Sequence, residues 1–416
     1  MVIADLHIHS RYAMACSENI TIRSIAETAV TKGIDIVGTG DILHKDWLDE
    51  ARKELTASSD GIFHTSYNET LFIPSSEIST VFSDSGKTRK VHHCILLPNL
   101  ESADLLRDRL SKYGNLDSDG RPTLMMDAPH FVEELFSVEP NAFIFPAHIW
   151  TPYFGALGSM SGYDSVRDTY KDQYYRIKAI ETGLSSDPPM NWLVSGLDDY
   201  ALLSNSDMHS LMNMGREANV FDIQKDKISY KTLINGISSK EGKRLSRTIE
   251  FFPEEGKYHY DGHRECKVSV DPMNEISSIC RVCGKPLVKG VLHRVKELSD
   301  RELGYVPKGA VPYTHIVPLR DLIASVLSKG KYTKSVMLEY ETLTKRFGSE
   351  FSVLIDADIN EISGISGDRV AAAVESVRNG KVHIVPGYAG VFGEVSFEEM
   401  AANPTSKTTG QKSLLS

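Results

Sequence analysis

Seven short apolar segments, each delivering a His, Asp or Glu side chain, constrain the fold more than any other feature of the sequence. The first is residues 1–4, and the His7 and His9 that follow share one face because side chains alternate along an extended chain. The later segments are residues 34–37 before Asp41, 71–74 before Glu77, 91–97 around His93, 142–145 before His148, 177–180 before Glu181, and 202–203 before Asp207 and His209. A single such histidine is more often structural, but a set drawn from seven segments predicts a polynuclear metal site.

Helix-like stretches separate these segments. Residues 22–32 place Ile22, Ile25 and Ala26 at helical spacing, and residues 104–113 are a second example. The alternation of strands and helices predicts a closed α/β barrel, in which functional groups gather at the carboxyl ends of the strands.

The ligand motifs resemble those of the PHP (polymerase and histidinol phosphatase) metallophosphoesterase family over residues 1–222. The resemblance implies a distorted (β/α)7 barrel that binds two or three divalent ions, which are Zn²⁺, Mn²⁺ or Mg²⁺. It also implies that Glu77 bridges the ions and that Glu77 and Asp207 are the catalytic carboxylates. The implied ligands are His7, His9, Glu77 and Asp207 for the first ion, His93 and His148 with Glu77 for the second, and Asp41 and His209 for the third.

The chain departs from the family's pattern around the third ion. Residues 39–41 read Thr-Gly-Asp where the family usually has Thr-Asp-His, and residues 11–17 offer no further ligand. His44 either reaches the site or caps a surface turn. Strand alternation predicts that His92 points away from His93, so His92 is expected to pack behind the ligands.

A narrower resemblance, to the endonuclease Q group, covers nearly the whole chain. It implies an endonuclease that nicks DNA on the 5′ side of a deaminated base, such as uracil, hypoxanthine or xanthine, or of an abasic site. DNA that contains such lesions is therefore the expected partner. The residues that carry this resemblance are 39–41, 181–188, 206–210, 215–219 and 386–388.

An enzyme of this kind must flip the damaged base into a pocket that matches its carbonyl groups. The implied pocket residues are Leu184, Ser185, Ser186, Asp187 and Asn205. The Ser-Ser-Asp-Pro run is also typical of an ordinary turn or helix cap. Trp150 and Tyr153 either stack on a base or pack in the core, and Glu181 is expected to support a metal ligand or contact the substrate.

Three cysteines and a histidine form two paired-ligand motifs after the barrel. His263 and Cys266 are separated by two residues, and Cys280 and Cys283 repeat that spacing after a gap of thirteen residues. This spacing predicts a closed, structural zinc site, with His259 as an alternative to His263. The predicted domains are accordingly a barrel at residues 1–240 and a zinc-binding domain at residues 241–310.

Helical spacing returns in the last part of the chain. Residues 319–328 and 333–347 are predicted helices, and residues 359–378 resemble either a helix-hairpin-helix or a simple helical hairpin. These features predict a helical C-terminal domain at residues 311–400. Residues 401–416, which are rich in Ser, Thr, Lys and Gly, are expected to be disordered.

Composition and charge indicate where the protein is found and what it can bind. The chain is 41% hydrophobic and 25% charged, and it has neither a run of about 20 apolar residues nor a basic and apolar leader, so a cytoplasmic protein outside the membrane is expected. The net charge of −10 conceals an excess of basic residues at 240–346, which suits either a phosphate-binding surface or an ordinary mixed-charge one. A replication clamp is a further candidate partner, although no segment matches a clamp-binding peptide.

Two other functions are compatible with the same barrel. A small-molecule phosphoesterase of the histidinol-phosphatase type would use the same ions, but it leaves the zinc and helical domains without a role. A non-catalytic DNA-binding protein with a relic barrel is the second alternative. The nearly complete ligand set argues against a relic, because eroded sites lose ligands.

Overall fold

The computed structural model describes residues 1–238, 244–275 and 277–397. None of the helices within these ranges has the length and apolar composition needed to cross a bilayer. The strands of the first part are β1 (Val2–Asp5), β2 (Ile36–Gly38), β3 (Leu55–Ser59), β4 (Ile62–Thr65), β5 (Leu71–Ile73), β6 (Ser75–Asp84), β7 (Lys87–Leu96), β8 (Thr123–Leu124), β9 (Phe143–Pro146), β10 (Ala179–Glu181), β11 (Ala201–Leu203) and β12 (Ala218–Phe221). Its helices are α1 (Ile22–Lys32), α2 (Lys45–Glu54), α3 (Glu101–Leu110), α4 (Ala128–Val138), α5 (Val166–Tyr170), α6 (Pro188–Trp192) and α7 (Tyr230–Ser238).

The strands close into a distorted barrel, which confirms the predicted α/β fold. β1, β2 and β5 run parallel, β6, β7 and β9 form the next sheet, and β10 runs parallel to β11. The ring closes where Ile8, beyond β1, bridges Met208, beyond β11. Fully buried side chains from these strands pack together in one apolar cluster, which includes Ala4, Leu6, Ile36, Ile73, Leu96, Phe145 and Leu203.

One pair of strands departs from the predicted alternation of strand and helix. β6 and β7 form an antiparallel hairpin, joined through Ser85 and Gly86, which both have positive φ as tight hairpin turns require. In this register Glu77 lies opposite Cys94, and Ser79 lies opposite His92. Cross-strand neighbours point to the same face of a sheet, and so do residues two apart on one strand. Glu77 shares its face with Ser79, which lies opposite His92, so Glu77 and His92 share a face.

The rest of the chain extends the barrel sheet before it becomes helical. Its elements are β13 (Leu245–Phe251), β14 (Asp261–His263), β15 (Val268–Val270), α8 (Val291–Leu298), β16 (Tyr313–Ile316), α9 (Leu319–Val326), α10 (Lys334–Phe347), α11 (Ile359–Ser366), α12 (Asp368–Arg378), β17 (His383–Val385) and β18 (Glu394–Ser396). β13 pairs with β12, and β16 pairs with β13. The predicted boundary at residue 240 and the predicted tail at 401–416 lie outside the described residues, but the strands that flank this boundary belong to one sheet.

A buried ion pair anchors the C-terminal helices to the barrel. Lys32, at the end of α1, lies 2.6 Å from Glu350, and both side chains are 3% exposed. The Lys32 ammonium also donates to the carbonyl of Met212, while Glu350 accepts from Tyr340 (2.7 Å) and from the backbone of Leu319 (3.0 Å). The pair therefore joins α1, the segment after Asp207 and two C-terminal helices.

Replacement of Lys32 by Met should lower the free energy of unfolding by about 3 kcal/mol or more, because it leaves Glu350 buried without its cation. Urea denaturation measures the change. The control is Arg23→Met on the same helix, whose pair with Glu27 is more than half exposed and contributes less than about 1 kcal/mol. Equal losses in the two variants would contradict this account of the anchor.

Candidate metal centre

The segments that follow β1 and β11 lie side by side and bring His7, His9 and Asp207 together. The Asp207 N–H donates to the His7 carbonyl over 2.9 Å, and the His9 N–H donates to the Met208 carbonyl over 3.1 Å. Asp207 has a φ of 45°, in the left-handed region that residues other than glycine rarely adopt. Arg216 holds this strained turn by donating to the carbonyls of Asp207 (3.2 Å) and of the preceding residue (2.8 Å).

Four of the predicted ligands converge in a first cluster. The ligand atoms of His7, His9, Glu77 and Asp207 all lie within 4.8 Å of one another. His9 Nε2 is 3.1 Å from both Glu77 Oε2 and Asp207 Oδ1, and His7 Nε2 is 3.5 Å and 3.7 Å from the same two oxygens. Two imidazoles and two carboxylates therefore face one small space.

The other oxygen of Glu77 faces a second cluster. Glu77 Oε1 lies 2.7 Å from His92 Nδ1 and 3.1 Å from His148 Nε2, and these two nitrogens are 3.3 Å apart. Burial lowers the pKa of His92 to about 4, so its imidazole is neutral and able to coordinate a cation. The carboxylate of Glu77 is thus shared between two clusters, as the prediction of a bridging residue requires.

The sequence prediction for the two adjacent histidines has to be reversed. His93, expected as a ligand, points away from Glu77 and bonds Thr80 Oγ1 (2.9 Å) and the Tyr170 hydroxyl (2.8 Å). Strand alternation correctly separates the two imidazoles, but only the β6–β7 register determines which of them faces the clusters. His92 therefore joins Glu77 and His148 in the second cluster, and His93 does not.

Two further carboxylates lie behind the histidines of the first cluster. Glu181 lies 3.0 Å from His7 Nδ1, and it also accepts from Asn205 Nδ2 and from the His148 N–H, both over 2.8 Å. Asp41, expected as a direct ligand, lies 2.9 Å from His9 Nδ1. These contacts favour the tautomers that present Nε2 to the cluster, so Asp41 and Glu181 orient the imidazoles of His9 and His7.

The electrostatics of the first cluster favour a cation. Burial opposes ionisation of Glu77, but His92, Arg121 and His7 hold its pKa well below its ordinary value. The pKa of Asp207 is also held low, against burial, by His9 and His7. Burial lowers the pKa of a histidine, yet Asp41 and the other carboxylates raise the pKa of His9 well above its ordinary value. A metal ion would displace these protons and balance the same negative charge.

The donor atoms of the first cluster fit such an ion. His7 Nε2, His9 Nε2 and Asp207 Oδ1 are buried and have no hydrogen-bond partner among the described residues. Buried polar atoms in native proteins are normally satisfied, and unsatisfied ones call for an explanation such as an ion. Imidazole nitrogen and carboxylate oxygen are common ligands of Zn²⁺ and Mn²⁺.

The ligands predicted for a third ion form no comparable group among the described residues. Asp41 is engaged by His9 and by the Ser10 N–H at 2.6 Å. His209 turns its Nδ1 to the backbone carbonyl of Asp207 over 3.0 Å. His44 stacks on Tyr12 with ring centroids 4.2 Å apart and precedes α2. Asp41, His44 and His209 are absent from the convergent ligand groups of the described chain.

Two residues near the clusters escaped the sequence analysis. Arg121, in the loop before β8, lies 3.1 Å from Glu77 Oε2, but the loop has no pattern that marks it. Cys94 lies within 4.8 Å of ligand atoms of His7 and Glu181. Its position opposite Glu77 follows from the β6–β7 register, which the sequence alone does not reveal.

Four of the residues predicted to contact the substrate are buried and bonded within the protein. Asn205 is fully buried, bonded to Glu181 and to the Leu6 N–H. Asp187 caps α6 by accepting from the Met190 N–H, and it pairs with His315 at 3.1 Å. The other two are Ser186, which donates to the Thr182 carbonyl, and Trp150, which is buried and donates to Asn191 Oδ1. Asp187 is therefore a helix cap, and Ser186 bonds within the turn before it, as the alternative interpretation of the Ser-Ser-Asp-Pro run expects.

Three predicted contact residues stay accessible to solvent. Leu184 and Ser185 are partly exposed and directly follow Gly183, where an added Cβ would lie 2.5 Å from His148 Cβ. Tyr153 is 39% exposed, with its ring 6.3 Å from that of Tyr258 in an edge-on arrangement. Their proposed role in lesion recognition stays a prediction.

The Cys-rich segment brings its four predicted ligands together. The ligand atoms of His263, Cys266, Cys280 and Cys283 lie within 4.8 Å of one another, whereas the alternative, His259, is not part of this group. Burial raises the pKa of the Cys280 thiol, but the backbone N–H groups of Cys283 and Val282 outweigh it and lower that pKa. Amides that stabilise a thiolate are expected in a metal-binding turn.

Two solved structures similar to this chain are of endonucleases. One is the crystal structure of the lesion-specific endonuclease PfuEndoQ from Pyrococcus furiosus, at 33% identity and a TM-score of 0.85, with 97% of each chain covered. Another is Endonuclease Q in complex with a 27-mer duplex substrate that has an abasic lesion at the active site. It has 33% identity and a TM-score of 0.86, and the match covers 97% of this chain and 98% of that one.

Sequence comparisons find relatives in an archaeon and a bacterium. Protein MJ0043 of Methanocaldococcus jannaschii is 34% identical over 248 residues, which are 57% of this chain and 30% of that protein. Protein YqxK of Bacillus subtilis is 26% identical over 95% of this chain and 99% of its own length. The family model for the MJ0043 C-terminal domain matches residues 318–381, which include α9, α10, α11 and α12.

The two adjacent histidines of β7 provide a direct test of the ligand assignment. His92→Ala should lower the Mn²⁺ content of the purified protein by about one ion per chain, because it removes a ligand of the second cluster. His93→Ala is the matched control and should keep its ions while losing thermal stability, because it leaves Thr80 and Tyr170 without their partner. Metal analysis by mass spectrometry measures both, and loss of ions only in the His93 variant would overturn the assignment.

Proposed function

Because this chain belongs to the endonuclease Q family, we propose that it is a metal-dependent DNA repair endonuclease. It hydrolyses the phosphodiester on the 5′ side of a deaminated base or an abasic site. The observation that carries the proposal is the position of Glu77, whose two oxygens face separate histidine clusters. Two adjacent ion sites are typical of enzymes that cleave phosphodiesters.

The barrel would hold two divalent ions. The first would be held by His7, His9 and Asp207 and the second by His92 and His148, and Glu77 would be shared between the two groups. Divalent ions at these positions supply an acidified water molecule and neutralise negative charge on the phosphate. The protein's own contribution is orientation, because Asp41 and Glu181 hold the imidazoles of His9 and His7 through Nδ1.

The Cys-rich group would hold a structural zinc ion. Three thiolates and one imidazole complete a tetrahedral shell and leave no open position for a substrate. The proposed ligands are His263, Cys266, Cys280 and Cys283. The segment around them has a small apolar cluster of its own, centred on Val268, Val270 and Cys280, so a metal would add much of its stability.

The damaged nucleotide would be recognised beside the second cluster. Leu184 and Ser185 follow the glycine that packs on His148, and they offer a hydroxyl group and backbone groups at the rim of the site. Uracil, hypoxanthine and xanthine each have a carbonyl where the normal base has an amine, so a buried donor at this rim would favour them. Tyr153, which is partly exposed, would stack on a base that leaves the duplex.

A cleavage assay tests the proposal. End-labelled duplexes that differ only in one uracil, hypoxanthine or abasic site are incubated with Mn²⁺ or Mg²⁺ and sized on a denaturing gel. A single cut on the 5′ side of the lesion is expected, with none in the undamaged duplex or in EDTA. Asp207→Asn should reduce the rate at least about 100-fold, because it removes a charged ligand of the first ion.

The matched control is Asp226→Asn, an exposed position remote in sequence from every ligand, which should cleave at the wild-type rate. Cleavage by Asp207→Asn at that same rate would contradict the assignment. Equal cleavage of damaged and undamaged duplexes would exclude lesion specificity. Rapid hydrolysis of a small phosphomonoester without DNA cleavage would favour the small-molecule phosphoesterase instead.

A further inference from the structure

We propose that Arg121 is a catalytic residue, whose guanidinium binds the scissile phosphate beside the two ions and takes the place of a third metal ion. This inference rests on the proposed phosphodiesterase function. It concerns a residue in a loop for which neither strand periodicity nor ligand spacing predicts a role.

Arg121 lies where the buried ligand cluster meets solvent. Its Nη1 is 3.1 Å from Glu77 Oε2, the same oxygen that faces His7 and His9. The side chains of His7, His9 and Glu77 are at most 1% exposed, whereas those of Arg121 and Asp207 are 24% and 25% exposed. A phosphate that approaches the first cluster from solvent therefore meets these two side chains.

The loop that carries Arg121 is fixed to the barrel. The Gly120 N–H donates to the Tyr12 carbonyl over 2.9 Å. Asp119 Oδ1 accepts from the backbone N–H groups of Met14 (3.2 Å) and Arg121 (3.0 Å). These bonds limit the movement of the guanidinium, and a charge that is already in position stabilises a transition state without costly reorganisation.

The same loop lies against Asp41, which the sequence predicted as a ligand of a third ion. A Cβ added to Gly120 would lie 2.4 Å from Asp41 Oδ2 and 2.8 Å from the Ala13 backbone nitrogen, so loop and Asp41 are in close contact. Asp41 is already bonded to His9 and to the Ser10 N–H. Arg121 is thus the cationic group that the described chain supplies near Asp41.

A guanidinium suits the role that a third ion would fill. It remains charged at any physiological pH and presents five N–H donors in a planar fork that matches phosphate oxygens. In the described chain, Glu77 is the one carboxylate that pairs with Arg121, through a single nitrogen. The other N–H groups of the guanidinium remain available for the phosphate. A contact through two parallel N–H···O bonds is strong and directional.

The test separates catalysis from a structural role by measuring two quantities. Arg121→Gln should lower kcat by about 100- to 1,000-fold on lesion DNA and on the small diester bis(p-nitrophenyl) phosphate. Its Mn²⁺ affinity, measured by calorimetry, should be equal to or higher than that of the wild type, because a cation that competes for Glu77 is gone. Arg121→Lys should recover part of kcat, since it keeps the charge without the fork.

The matched control is Arg11→Gln, whose side chain is similarly exposed at 29% and pairs with Glu50, and which should keep wild-type kcat. The inference is overturned by a wild-type kcat in Arg121→Gln, or by a loss of kcat that weaker Mn²⁺ binding fully explains. A wild-type protein that hydrolyses the small diester but not lesion DNA would exclude the proposed substrate while leaving Arg121 testable on the diester. Hydrolysis of neither compound would overturn both proposals.

Discussion

The carboxylate of Glu77 is the interaction on which the rest of the site depends. It is 1% exposed, and its two oxygens face different histidine clusters, so neither cluster is complete without it. A buried carboxylate is costly unless cations or donors surround it. The groups that surround the Glu77 carboxylate come from the ends of β1, β9 and β11, from β7, and from the loop before β8. The barrel therefore brings five separate chain segments together around one side chain.

The backbone around the site is strained, and residues elsewhere in the chain hold it in place. Asp41, His148 and Asp207 all have positive φ. For residues other than glycine this conformation persists only where neighbouring contacts impose it. Arg216 fixes the Asp207 turn directly. Lys32 holds the next turn through the Met212 carbonyl, so the C-terminal helices, through their pair with Lys32, contribute to the geometry of the site.

Much of the fold and of the first cluster was predictable, because strand alternation and the position of a residue at a strand end are local properties. His7, His9, Glu77 and Asp207 were found in this way, and the Cys-rich group was found from the spacing of its ligands. The choice between His92 and His93 was not predictable, since it depends on the register of an antiparallel hairpin that looked like one more β-α unit. Long-range pairing is not encoded in either strand alone.

The other errors arose where one residue type has several local uses. The Asp187 carboxylate suits a base pocket and a helix cap equally well, and in the structure it caps α6. Asp41 follows a strand as a ligand would, yet its backbone turn directs it behind His9. Arg121 lies in an irregular loop, where no periodicity reveals what the side chain will contact.

Anomalous diffraction from crystals grown with Mn²⁺ tests the central claim most directly. The account predicts two peaks in the barrel, about 3.5 to 4 Å apart, on opposite sides of the Glu77 carboxylate. One peak should lie against His7, His9 and Asp207, and the other against His92 and His148. A single peak, or two peaks that share no contact with Glu77, would contradict the account.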